Sequence, residues 1–112
     1  MGRTKRDSKQ YRDVQRMNAI RDNYFHCTAT LKNSTRLILN DSDSLKTNMY
    51  EEYIKDVENS MCLLDPLDQK VINKEFFEAP NKIWWIGLFS RSTYYRLRRR
   101  AIEKFLGYFY EQ

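Results

Sequence analysis

Only three glycines and two prolines punctuate a chain of 112 residues, and this shortage constrains the fold more than any other feature. A β-sandwich or barrel needs a turn signal about every 8–12 residues, and the chain does not carry them. An all-α protein is therefore the expectation. Apolar residues make up 41% and aromatics 14%, enough to bury a core and to exclude global disorder. The length suits one small domain, or one domain with a helical extension.

Periodicity divides the chain into segments. Residues 1–9, "MGRTKRDSK", are polar, basic and without a period, and are expected to form a disordered basic arm. Residues 10–63 predict a long helical hairpin. Its first helix runs from Gln10 to Leu39, with Met17, Ile20, Tyr24, Cys27, Leu31 and Ile38 recurring at three- and four-residue steps and Ser34 filling the missing place. The cluster "NDSDS" (Asn40 to Ser44) marks a turn, with Ser42, Asp43 or Ser44 as N-cap. The second helix continues to Cys62, with Leu45, Met49, Tyr53, Val57 and Met61 spaced by four and Leu64 extending the row. A short polar connection between two such helices predicts antiparallel pairing.

Residues 64–112 form the remaining unit. Pro66 disfavours a helical Asp65 and suits a helix first turn. A third helix is expected over Pro66 to Glu78, burying Leu67, Val71, Ile72, Phe76 and Phe77. Pro80 stops it and Asn81 is a natural N-cap. A short helix "KIWWIGL" should follow, then a turn at Gly87, then a long basic helix capped by Ser90, whose hydroxyl can accept from the backbone of Ser92 or Thr93. Tyr94, Leu97, Ala101 and Phe105 share its buried face. Trp84, Trp85 and Ile86 supply the surface against which it packs. The tail, Phe105, Tyr108, Phe109 and Tyr110, reads either as an interface or as a segment folded back on Trp84 and Trp85.

The formal charge of +5 is unevenly placed. Residues 1–21 hold seven basic residues against two acidic, residues 90–104 six against one, and residues 41–58 two against six. Two basic ends and an acidic middle suit a polyanion held at the ends. Short helix, turn and basic helix form the helix-turn-helix plan, in which the second helix enters the major groove by its N-terminal residues. The residues placed there are Arg91, Ser92, Thr93, Tyr95, Arg96 and Arg99, with Arg98 and Arg100 nearer the flanks. Arginine can hold a guanine edge bidentately or grip phosphate. Small hydroxyls stand at the helix start, where the backbone dipole favours an anion. The plain alternative is a solvated basic helix that caps a bundle.

The stretches "LLDPLDQKVINKEFF" and "IWWIGLFSRSTYYRLRRRAIEKFL" also resemble region 4 of bacterial sigma factors, and more closely the small phage regulators of the ArpU/RinA type. The resemblance spans Leu64 to Leu106. It implies a DNA-binding transcriptional regulator in which Ser92, Thr93 and Arg96 meet DNA and Tyr94, Leu97 and Ala101 face the core. The segment "IWWIGLF" departs from the sigma pattern at the turn, which argues against recognition of promoter −35 elements.

The expected partner is double-stranded DNA. A second reading is a helical module that binds RNA polymerase or another protein without reading DNA. The apolar seam of the hairpin closes within the monomer or between two copies as a homodimer. An enzyme is not expected: there is no glycine-rich phosphate loop, no metal-ligand spacing and a single histidine, so no catalytic residue, cofactor or metal is assigned. An RNA-binding sheet is disfavoured by low strand propensity. Cys27 and Cys62 read as reduced core thiols of a cytoplasmic protein. No run of about 18 apolar residues spans a membrane.

Overall fold

The computed structural model describes residues 5–34, 41–79 and 81–111. Among these there is no strand, and the elements are α1 (Lys5–Ser34), α2 (Asp41–Cys62), α3 (Pro66–Ile72), a π-helical turn (Asn73–Phe77) and α4 (Arg91–Tyr110). The all-α expectation is met. No helix among the described residues is long and apolar enough to cross a membrane.

α1 begins at Lys5, inside the stretch expected to be a disordered arm. The expected continuation to Leu39, and with it Ile38, lies outside the described residues. α2 opens at Asp41, so Ser42, Asp43 and Ser44 lie within the helix and not at its cap. α1 and α2 meet through Asn23 with Tyr53 (3.5 Å) and Tyr24 with Glu58 (3.1 Å). The rings of His26 and Tyr50 also touch, 6.1 Å apart.

One apolar cluster holds the molecule together. Met17 and Ile20 of α1, Val57 of α2, Val71 and Ile72 of α3, Phe76 of the π turn and Leu97, Ala101, Ile102, Phe105 and Leu106 of α4 are all buried in it. Burying a side chain of this size is worth about 1.5–3 kcal/mol, so this cluster carries most of the fold. Phe109 joins it by packing on Phe105 and Tyr53. The tail therefore folds over α2 and not over Trp84 and Trp85.

Several expected core positions are exposed instead. Leu45 and Met49 stand in solvent at the start of α2, as do Leu67, Ile86 and the Cys62 thiol, whereas Cys27 is buried. A four-residue period states which side chains share a face. It does not state how far along that face a partner extends.

The segment before α4 departs furthest from expectation. Lys82–Leu88 is a run of turns and not a short helix. Its amides reach back mostly three residues, Ile86 to Ile83 (3.1 Å) and Leu88 to Trp85 (3.0 Å). Asn81 does cap it, its side chain accepting from the Ile83 amide. Seven residues rich in Ile and Trp are too short and too weakly helix-forming to hold an isolated helix. Gly87 closes the run with φ of 90°, a left-handed conformation that glycine adopts without strain. This leaves both Trp84 and Trp85 free to face the same ring: Trp85 stacks on Tyr94 at 4.5 Å and Trp84 meets it edge-on at 6.1 Å.

Candidate nucleic-acid interface

α4 starts as its sequence specifies. Ser90 is extended (φ −68°, ψ 162°), its hydroxyl oxygen accepts from the Thr93 amide at 3.2 Å, and the same hydroxyl donates to the Thr93 side chain at 2.9 Å. No acidic residue occupies the first turn, so the positive end of the helix dipole is left uncompensated there. Pro66 likewise opens α3 after an extended Asp65, although Asp65 makes no side-chain cap.

Tyr94, Leu97, Ala101 and Phe105 point inward and are buried, together with Ile102 and Leu106. On the opposite side, Ser92, Arg96, Arg99 and Glu103 recur at steps of four, three and four, which places them in one stripe along the helix. Tyr95 and Arg91 flank the stripe, the Arg91 guanidinium lying 5.8 Å above the Tyr95 ring. Neither Arg96 nor Arg99 forms an ion pair among the described residues.

The other basic residues of α4 are engaged with the fold. Arg100 donates twice to Asp68, from Nε at 3.2 Å and from a terminal nitrogen at 2.9 Å, and Asp68 is fully buried. Lys104 stands 3.4 Å from the second oxygen of Asp68 and 3.5 Å from Asp65. One heptad further along, Glu75 receives three donors: the Trp84 indole at 3.1 Å, the Tyr94 hydroxyl, and Arg98 at 3.4 Å. Burial, reinforced by the Glu75 carboxylate, raises the Tyr94 phenol well above its ordinary pKa.

Asp68 of α3 and Glu75 of the π turn thus form two rungs to α4, which runs past them in the opposite sense. Glu75 also ties the turn segment to α4. The eight residues expected at DNA consequently fall into groups. Arg91, Ser92, Tyr95 and Arg96 are exposed, Arg99 is half-buried in the groove beside α1, Thr93 completes the cap, and Arg98 and Arg100 hold α4 to the π turn and to α3.

Sequence reading did not single out Asp68 or Glu75. The available signal was their position, since both stand in register with Val71, Ile72 and Phe76 on an apolar face. A carboxylate placed there must be paired, and the next helix supplies Arg98, Arg100 and Lys104.

α1 lies beside α4, with Lys9 bonded to Asp13 (3.0 Å) and reaching Glu103 (3.5 Å). Arg12 and Arg16 are exposed, Arg16 standing 3.6 Å from Asp13. No group of His, Cys, Asp and Glu able to hold a metal is found among the described residues. Comparison with protein-family models, with curated proteins and with solved structures finds no match for this chain.

Proposed function

We propose that the protein is a sequence-specific binder of double-stranded DNA that regulates transcription, inserting the start of α4 into the major groove. What carries the reading is the division of arginines on one helix. Those that face α3 and the π turn are neutralised by buried or half-buried carboxylates, while Arg96 and Arg99 lie on the outer stripe with no ion pair among the described residues. A fold that needed only cations to satisfy its acids would have no use for the second pair. In this reading Arg96 addresses a base edge, and Ser92, Tyr95, Arg91 and Arg99 hold the flanking phosphates. α3, the turn segment and α4 serve as a helix-turn-helix unit of sigma region 4 or ArpU/RinA character, with the connecting turns replacing the usual short helix. α1 and α2 act as its antiparallel hairpin support, and as the face through which a homodimer would form.

The test is selection from a pool of random duplexes, followed by anisotropy titration at low and physiological salt. The expected result is one enriched motif, bound with a steep salt dependence because each neutralised phosphate releases counterions. Absence of binding at low salt would overturn the reading.

A second reading, a protein-interaction module that binds RNA polymerase without reading DNA, draws on a different observation. Ile83, Ile86 and Leu88 project three large aliphatic side chains from the turn segment, exposed by 65%, 59% and 55%. A module of this kind would retain RNA polymerase in a pull-down and show no salt-dependent affinity for any duplex.

A further inference from the structure

Between α1 and the first half of α4 runs a groove of about 320 Å³, near the lower end of the range for small-molecule sites. Its floor is apolar: Ile102 is buried, and Val14 is half-buried against the core cluster. Tyr95 forms part of one wall and offers a half-exposed aromatic ring. Arg96, Arg98 and Arg99 all line the groove, with Ser92 at its end and Gln10 on the α1 side.

The charges inside are unequal in availability. Asp13 also lines the groove, but Lys9 at 3.0 Å and Arg16 at 3.6 Å already pair with it. Arg98 is held by Glu75. Among the described residues Arg96 and Arg99 have no such partner, so two guanidiniums remain for an anion. A concave site with an apolar floor, an aromatic wall, a hydroxyl and two unspent guanidiniums matches a particular chemistry. It suits a flat ring that carries a phosphate, sulfonate or carboxylate: the ring against Val14, Ile102 and Tyr95, the acid between Arg96 and Arg99.

We infer that this groove binds a small aromatic anion, and that the anion excludes DNA because both would use Ser92, Tyr95, Arg96 and Arg99. The binding half of this statement stands without the DNA reading; the exclusion half rests on it. An effector acting here would release the operator by direct occupation of the interface, with no change of shape required. Of common metabolite classes, a purine nucleoside monophosphate combines the required ring, acid and size.

The experiment uses the full chain and two probes, adenosine 5′-monophosphate and naphthalene-1-sulfonate, with amide chemical shifts followed by NMR in the absence of DNA. Both are expected to move the amides of Gln10, Val14, Tyr95, Arg96 and Arg99 together. Inorganic phosphate and adenosine, each lacking one half of the ligand, should bind at least several-fold more weakly. Removing one charge-assisted contact by Arg99→Ala should weaken both probes by about tenfold, and Lys55→Ala on the exposed face of α2 should leave them unchanged.

No saturable shift with either probe at millimolar concentration would overturn the inference. So would equal binding of phosphate alone, or insensitivity to Arg99→Ala. Anisotropy of a labelled duplex in the presence of the monophosphate then tests exclusion. Saturable probe binding by a protein that binds no duplex would remove the DNA reading and leave the groove standing. A probe that binds without displacing bound DNA would remove the exclusion.

Discussion

Arg96 and Arg100 lie one helical turn apart on α4, yet their surroundings differ in kind. Arg100 grips a carboxylate with no solvent exposure, while Arg96 is exposed and forms no ion pair among the described residues. The two are turned only about 40° from each other around the helix axis, so the difference comes mainly from position along it: Arg100 lies level with Asp68 of α3 and Arg96 does not. At about 100° per residue, Arg98, Arg100 and Lys104 reach the edges of the α3–α4 contact, where Asp68 and Glu75 wait. Arg96 and Arg99 turn away from it. Composition and charge runs count all five as basic residues of one segment, but only the packing separates cations that hold the fold from those with no ion pair among the described residues.

The largest effect should come from the carboxylate on which three elements converge. Glu75→Ala leaves the Tyr94 hydroxyl and the Trp84 indole without their acceptor and Arg98 without its counter-charge. A loss of about 3 kcal/mol is expected from stranded half-buried donors, read as a lower midpoint in urea denaturation. A loss below about 1 kcal/mol would mean that the hub is ornamental. Arg100→Ala should cost about 2 kcal/mol, less than a fully buried pair because the arginine is half in solvent and Lys104 remains near Asp68. Its DNA affinity, measured on the folded fraction, should change little.

Arg96→Ala belongs at the other end of the stability scale. An exposed arginine with no ion pair among the described residues should change stability by no more than about 0.5 kcal/mol, so thermal denaturation of this variant should overlay that of the parent. A drop comparable to that of Arg100→Ala would erase the distinction between the two arginines.

Alkaline pH gives an independent check on the inward face. Tyr94 is held above the ordinary phenol value near 10, first by burial and then by its bond to Glu75. Tyr24 and Tyr53 shift in the same direction, chiefly through burial. Since each group binds its proton more tightly when folded, the associated stability is fully present below about pH 10. It is lost as pH rises through the folded values. The denaturation midpoint should therefore fall above pH 10, and Tyr94→Phe should make that fall shallower. An unchanged slope in Tyr94→Phe would mean that the phenol is not held as described.

Features set by local chemistry were legible in the sequence. The Ser90 cap, the left-handed Gly87, Pro66 at the start of α3 and the buried row Tyr94, Leu97, Ala101 and Phe105 all follow from residues a few positions apart. What stayed hidden depends on contacts across the chain. The turn run Lys82–Leu88 reads as a helix by spacing, but its conformation is set by two tryptophans meeting one tyrosine on α4. The register of Asp68 and Glu75 with Val71 and Ile72 marks them as acids that need partners, but which cations pair with them is set only when α4 is laid against them. The exposure of Leu45 and Met49 illustrates the same limit, because a row of apolar residues does not announce where its cover ends. In the candidate site, the residue types were legible and their division of labour was not.

The central claim is that the outward arginines are available to read a base sequence. Its most direct test is a paired titration of parent and Arg96→Ala protein against a selected duplex and a scrambled one, at one fixed salt concentration. The expected result is a loss of about 1–3 kcal/mol on the selected duplex and a much smaller loss on the scrambled one. Equal losses on both would contradict base reading by Arg96 and reduce α4 to a non-specific cation on the surface.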